Sequence, residues 1–256
     1  MRIELATSPG DPQRPNEDYV SVALPASGVG GVLVLLDGVT PPPDEDGCIH
    51  GVPWFTARLG GALLELSGSR RDMPLADCLS SAIERTTEVH RHTCDLSHAL
   101  TPQSTVVAAR WDETTVEYLV LSDSVLLLEG PDGAVTPVLD DRIDRLRAAG
   151  HRLAGLRNIE GGFFTAAADP RVAGRAVTGS TPRDRVRALA ALSDGAGRWV
   201  EVFREGDWSQ CFALLRKEGP QALIDQVRAA EDADPTGTRF PRGKAYDDAA
   251  VVFAQP

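Results

Sequence analysis

Apolar and polar positions along the chain follow two periods, and one run belongs to neither. Val32-Leu33-Val34-Leu35-Leu36 is five consecutive apolar, partly β-branched residues bounded by Gly30-Gly31 and Gly38. Such a run predicts a strand buried on both faces. Residues 3–6 and 19–24 predict two short strands around a turn-rich segment that holds Pro9-Gly10-Asp11-Pro12. From Pro53 onward Phe55, Leu59, Leu63 and Leu66 keep helical spacing, with the proline suited to a first turn. A second helix is expected from Leu75 into the high nineties, with Leu79, Ile83, Thr86 and Thr93 on one stripe. The period then becomes two. Ser104–Trp111, Thr115–Leu121 and Val125–Glu129 predict consecutive antiparallel strands, joined at Asp112-Glu113 and at Asp123.

After the turn at Asp132-Gly133, Val135–Leu139 reads as a strand, and Ile143 with Leu146 as a short helix that Gly150 can cap. Residues 151–184 show no assignable period. Ala188–Leu192 is a second buried strand leading into Ser193-Asp194-Gly195. Helices are expected around Trp208 to Leu215 and Pro220 to Val227, and a last strand over Ala249–Phe253. The order of strands, two long helices, strands, two helices and strand predicts an α+β sandwich and not a parallel α/β fold. There is no internal repeat, and the chain reads as a single domain over residues 1–256. Pro41 to Gly47 reads as a proline-stiffened loop.

Composition narrows the partners. The chain has 256 residues, 42% apolar and 25% charged, with a formal net charge of −11. That balance argues against nucleic acid, which Lys and Arg clusters would hold. It fits acidic side chains gathered around divalent metals, and equally a merely soluble acidic surface. The start, Met1-Arg2-Ile3-Glu4-Leu5, lacks the apolar stretch of a signal peptide. No run approaches the ~20 apolar residues of a membrane span. Four scattered cysteines, Cys48, Cys78, Cys94 and Cys211, read as thiols in a reducing cytoplasm.

Four acidic sites share one context, a carboxylate at a strand end or tight turn. They are Asp18, Asp37-Gly38, Asp194-Gly195 and Asp247-Asp248. Converged carboxylates repel one another, so they must bind hard cations or take up protons. With no histidine beside them the ligand set is oxygen only, which suits Mg²⁺ or Mn²⁺ over Zn²⁺. Taken singly, each is also ordinary turn chemistry.

In order along the chain, these motifs resemble those of the metal-dependent Ser/Thr protein phosphatases, the type 2C family. Asn16-Glu17-Asp18 is similar to its N-terminal acidic motif, and Leu36-Asp37-Gly38 to its Asp-Gly motif. Ser104-Thr105-Val106 is similar to the Ser-Thr pair that opens a core strand, and Ser122-Asp123-Ser124 to the Gly-Asp-Ser turn. Ser193-Asp194-Gly195 matches Ser-Asp-Gly, and Asp247-Asp248 stands where the family has Asp-Asn. The resemblance implies a four-layer α-β-β-α sandwich of two antiparallel sheets flanked by helices, with metals at one end. It implies two Mn²⁺ or Mg²⁺ ions. Asp37 would bridge them and the Gly38 carbonyl would bind one. Asp18 would order the second ion, Asp194 and Asp247 would complete the first, and Asp123 would stand near a third. The implied activity is hydrolysis of phosphoserine or phosphothreonine in a phosphorylated protein by a metal-bridging water, and residues 151–184 would form a variable flap.

Several positions depart from that pattern. The family's phosphate-gripping arginine falls at Gln13, with Arg14 one place later, so Arg14 is the candidate clamp beside Asp37 and Asp194. Val39-Thr40 replaces a glycine pair, Ser122 a glycine, Val125 an arginine and Asp248 an asparagine. The metal shell is retained while the substrate side is altered, which motivates an alternative: a catalytically impaired pseudophosphatase serving as a binding or regulatory module. A third reading, a relative of the phosphatases that act on anti-sigma antagonists, would expect a sensor domain.

Other signals lead less far. His90, Cys94 and His98, at i, i+4 and i+8, would share a stripe if the second helix continued, and could then hold zinc. His90 also falls on that helix's apolar stripe, where a core histidine is the commoner outcome. His50 could supply a proton near the metals or be a solvated loop residue, the latter being favoured. Asp44-Glu45-Asp46 reads as a solvated acidic loop. Ser104 and Ser193 lack the context of a nucleophilic serine.

Overall fold

Because every residue of the 32–36 run is apolar, the strand it forms needs cover on both sides, and the computed structural model provides it. Residues 1–42 and 47–256 are described; the Asp44-Glu45-Asp46 triplet lies outside them. The central strand β3 (Gly31–Leu36) is buried along its whole length. Val32, Val34 and Leu36 face one way, packing on α1 (Gly51–Ser69) and α2 (Leu75–His90) through Phe55, Leu59, Leu63, Leu79 and Ile83. Leu33 and Leu35 face the other way, against Leu189, Ala191 and Val252 of a second sheet. The alternation of side chains across a strand thus assigns one run to two apolar layers.

The order β2 (Tyr19–Ala23), β3, β4 (Val106–Trp111), β5 (Thr115–Leu121), β8 (Val177–Pro182) makes the first five-stranded sheet. The second runs β1 (Arg2–Ser8), β10 (Ala249–Gln255), β9 (Ala188–Leu192), β6 (Val125–Glu129), β7 (Val135–Val138). Every pairing in both is antiparallel. The outer face of the second sheet is covered by α4 (Asp194–Glu201), α5 (Trp208–Glu218) and α6 (Pro220–Ala233), through Trp199, Phe212, Leu215 and Val227. A short α3 (Arg142–Ala148) follows β7. The result is the expected α-β-β-α sandwich. Among the described residues no helix is long and apolar enough to cross a membrane.

Three expectations change. The second helix stops at His90 and does not reach the high nineties, and residues 91–94 form a turn in which the N–H groups of Thr93 and Cys94 bond to the His90 carbonyl. His90, Cys94 and His98 therefore share no stripe. The stretch without a period hides β8, whose alternating partial burial is that of a sheet edge with few large apolar side chains. Helix α4 is an addition to the expected elements: it is only eight residues long and holds Gly195 and Gly197, poor helix formers that read as a turn.

Candidate metal centre

Strand register brings the acidic motifs together. Tyr19, which opens β2, pairs with Leu36, which closes β3, so Asp18 and Asp37 emerge side by side. Val251 pairs with Leu192, and the Ser193 N–H donates to the Ala250 carbonyl at 3.0 Å. That pairing puts Asp194 beside Asp247 and Asp248. Leu192 also pairs with Val125, which brings in the Ser122-Asp123-Ser124 turn where the chain crosses between sheets. Asp18, Asp37, Asp123, Asp194 and Asp247 are thus gathered at one end of the sandwich, near enough to repel one another, with Asp248 beside them.

These carboxylates are partly withdrawn from solvent and repel one another. Burial pushes Asp18 well above the usual carboxylate range; a hydrogen bond to Ser193 opposes this, and Asp194, Asp248 and Asp247 add to it. Asp37 is raised in the same way, first by burial and then by Asp194, Asp18, Asp123 and Asp247. Asp194 is pushed up to about 6 by burial and by Asp247 and Asp123. One buried oxygen, Asp18 Oδ2, has no hydrogen-bond partner. An orphaned anionic oxygen among repelling carboxylates is what a cation would satisfy, so this donor set fits a hard divalent ion. Asp37, Asp123, Asp194 and Asp247 line a cavity of about 730 Å³.

Hydroxyls and amides fix the carboxylates in place. The Asp37 N–H donates to Thr105 Oγ1 at 3.2 Å, and Thr105 is hydrogen-bonded to Ser124 at 2.6 Å. Ser193 Oγ accepts from the Ala250 N–H at 2.9 Å. Ser193 is thus part of the framework and not a nucleophile, and Ser104, whose hydroxyl is buried without a partner, bridges Gly38 and Ala166 through its backbone. Asp248 holds the N-terminal loop, accepting from the N–H groups of Gly10 (2.8 Å) and Glu17 (2.7 Å). Here the extra negative charge over asparagine serves two backbone donors.

The glycines beside the aspartates are required by crowding and not by backbone turning. A Cβ on Gly38 would stand 2.5 Å from Val52 Cγ1 and 2.6 Å from the Glu17 carbonyl oxygen. One on Gly195 would overlap the Asp248 carbonyl oxygen. Each Asp-Gly motif is therefore a place where another acidic motif packs directly on its backbone.

Cations complete the site, and sequence reasoning missed three of them. Lys244 Nζ lies 2.7 Å from Asp247 Oδ1, and Arg198 2.7 Å from Asp247 Oδ2. Burial alone would lower the Lys244 ammonium, but Asp247, Asp37 and Asp194 outweigh it and raise it. Arg198 also pairs with the fully buried Glu231 at 2.7 Å. Arg157 lines the cavity with a buried, partnerless Nε; burial lowers its guanidinium and Asp123 opposes that. The available signals were spacing: Lys244 stands three residues before Asp247, and Arg198 one helical turn after Asp194. Arg14 is exposed and lines an adjoining groove with Asp11, Lys244 and Tyr246, outside the lining of the main cavity. Among the described residues no histidine lines that cavity; His50 turns elsewhere.

No protein-family model matches the sequence, and no curated protein matches it. Solved structures do match in shape. The Ser/Thr phosphatase Stp1 from Staphylococcus aureus is 15% identical with a TM-score of 0.65, covering 99% of this chain and 94% of that one. The catalytic domain of the Ser/Thr protein phosphatase PstP in complex with two manganese ions is 17% identical, TM-score 0.59, covering 99% and 97%. PppA, a regulatory component of the type VI secretion system in Pseudomonas aeruginosa, is 16% identical, TM-score 0.60, covering 98% and 96%. At this level of identity the shared property is the fold, that of the type 2C-like Ser/Thr phosphatases.

Proposed function

We propose that this chain is a Mn²⁺- or Mg²⁺-dependent phosphatase that hydrolyses phosphoserine or phosphothreonine in protein substrates in the cytoplasm. The observation that carries the reading is the orphaned, buried Asp18 oxygen within a cluster of mutually repelling carboxylates. Asp37, Asp18, Asp194 and Asp247, with the Gly38 carbonyl, would hold two ions, and Asp123 would hold a third. Such ions supply Lewis acidity toward a phosphoryl oxygen and a nucleophilic water at neutral pH. The chain's own residues do the rest. Thr105 and Ser193 lock the carboxylates. Lys244 and Arg157 present positive charge to an entering phosphate, and Arg14 stands over the groove beside them.

The test is hydrolysis of an aryl phosphate and of phosphoserine, phosphothreonine and phosphotyrosine peptides, with Mn²⁺, with Mg²⁺ and with chelator. Metal-dependent turnover favouring the first two peptides, and abolished in a folded Asp194→Ala variant, is the expected result. Turnover that survives chelation or that substitution refutes the site.

One observation favours a second reading, a pseudophosphatase that binds without turning over. Both carboxylate oxygens of Asp247 are already engaged by Lys244 and Arg198. Calorimetry with Mn²⁺ separates the two readings: tight binding with no hydrolysis of any phosphopeptide supports the second.

A further inference from the structure

Away from the carboxylates, the turn after α2 meets the segment before α1. The sulfur of Cys94 lies 3.1 Å from that of Cys48 and 3.3 Å from His50 Nδ1, and Cys48 Sγ is 3.7 Å from the same nitrogen. These three donor atoms lie within 4.8 Å of one another. We propose that Cys48, His50 and Cys94 bind a zinc ion that clamps the segment following Asp37-Gly38 to the end of α2.

Donor chemistry supports a soft metal here. Two thiolates and an imidazole select zinc, where the oxygen-only centre selects manganese or magnesium. Tetrahedral zinc needs sulfurs about 3.8 Å apart and sulfur–nitrogen edges of about 3.5 Å, given Zn–S and Zn–N bonds of about 2.3 and 2.0 Å. The present arrangement, with sulfurs 3.1 Å apart and sulfur–nitrogen distances of 3.3 and 3.7 Å, reaches that by parting the sulfurs by about 0.7 Å. Three protein ligands leave a fourth position to solvent or a further donor.

Backbone and ring contacts prepare the ligands. N–H groups of Ile49 and His50 point to the Cys94 sulfur, and those of His50 and Gly51 to Cys48. These amide donors favour the thiolate a metal requires at Cys94, whose thiol is held below its usual range against burial; at Cys48 burial and the Cys94 sulfur outweigh them and raise the thiol, so a metal must displace that proton. Gly51, at φ 75°, takes the left-handed turn that carries the chain from this knuckle into α1. The His50 ring is stacked on Trp54 with centroids 4.2 Å apart, which fixes its direction.

The neighbouring histidines are otherwise engaged. His90 Nδ1 is 2.6 Å from the Thr86 carbonyl, in the core, and His98 Nδ1 accepts from the Leu100 N–H at 3.2 Å. Thus Cys94 alone of the spaced His90-Cys94-His98 set contributes. Its partners come from another part of the chain.

The clamp would matter to the cavity. The Asp95 backbone N–H donates to the Gly47 carbonyl at 2.9 Å, a second tie between the same two segments. Ala99 and Leu100, shortly after Cys94, line the cavity. Holding Cys94 in place steadies that wall.

The experiment uses the full chain under reducing conditions, stripped of metal and reloaded with one equivalent of Zn²⁺ or Co²⁺. Expected results are one zinc retained per chain after a mild chelator wash that empties the oxygen-only centre, and a thiolate-to-cobalt charge-transfer absorption. Both should vanish in Cys48→Ser and Cys94→Ser. In His50→Ala zinc affinity should fall about 10- to 100-fold, and Asp18→Asn should leave both signals intact. Circular dichroism and thermal melts establish that each variant is folded. The proposal is overturned if the reduced wild type retains no zinc and gives no such absorption, or if the signals persist in Cys94→Ser. A native Cys48–Cys94 disulfide, found by mass spectrometry without reductant, overturns it as well. None of these readouts depends on phosphatase activity.

Discussion

The backbone N–H of Asp194 donates to Asp37 Oδ2 at 3.1 Å. This one bond joins the end of β3 in the first sheet to the start of α4 beyond the second. It uses one of the unpaired N–H groups at a helix N-terminus, where a negative charge is favoured. The same carboxylate is repelled by Asp194, Asp18, Asp123 and Asp247, so its place is a compromise between one donor and several like charges. Asp37→Asn keeps an acceptor for Asp194 and removes a charge. In metal-free protein it should raise stability by roughly 1–2 kcal/mol, and it should abolish the stabilisation by Mn²⁺. Thermal melts with and without Mn²⁺ check both; a variant less stable than wild type without metal would sink the argument.

The acid cluster also sets a pH dependence in metal-free protein. Asp194 rises in the folded state from 3.8 to about 6. A carboxyl raised on folding stabilises below its unfolded value, and that contribution disappears as pH rises through the folded value. Stability should therefore fall between about pH 4 and pH 6, by up to ~3 kcal/mol for a shift of this size. The carboxylates interact, so the loss belongs to the cluster as a unit. Saturating Mn²⁺ should flatten the fall. Denaturant titrations across that range, with chelator and with Mn²⁺, are the measurement, and stability that rises over it in chelator contradicts the cluster's electrostatics.

Lys244 acts as a counter-cation at the rim of the site. Its ammonium sits on Asp247 Oδ1 at 2.7 Å and reaches Thr40 Oγ1 at 3.0 Å. Lys244→Met should free that oxygen, tightening Mn²⁺ about tenfold, while metal-free stability drops because a repelled carboxylate loses its partner. Calorimetric titration and a melt read the two signs separately. Unchanged Mn²⁺ affinity would mean that Lys244 and the ion do not compete.

How far the sequence revealed this site depends on what kind of feature each residue is. The 32–36 run and the acidic residues at strand ends were legible because binary pattern and turn chemistry are local. Register then did the converging, which is why Asp18, Asp37, Asp123, Asp194 and Asp247 meet as the motif order implied. Lys244, Arg157 and Arg198 were not legible, since a charge in a loop or a glycine-containing helix is ordinarily solvated and only tertiary packing brings it to the carboxylates. The Cys48-His50-Cys94 cluster was hidden for the same reason. Helical spacing pointed to His90 and His98, but α2 ends before that spacing can operate.

Two substitutions of opposite sign test how backbone shape supports the centre. Ser122 holds φ at 71°, a left-handed conformation that is costly for a residue with a Cβ and free of that cost for glycine. Its N–H nevertheless donates to Asp140 Oδ2 at 3.0 Å and its hydroxyl to Asp123 Oδ1 at 3.1 Å. Ser122→Gly keeps the amide bond, loses the hydroxyl bond and relieves the backbone, for a net gain of roughly 0.5 kcal/mol. Gly195→Ala should do the reverse, because its Cβ meets the Asp248 carbonyl, which cannot swing aside like a side-chain tip. A loss of about 2–3 kcal/mol is expected there, with Mn²⁺ binding weakened as Asp194 and Asp247 are forced apart. Paired thermal melts and Mn²⁺ titrations of the two variants provide the check: a stabilised Gly195→Ala would mean that α4 moves freely against the Asp247-Asp248 turn, and the close packing of the acidic motifs would not be what positions the carboxylates.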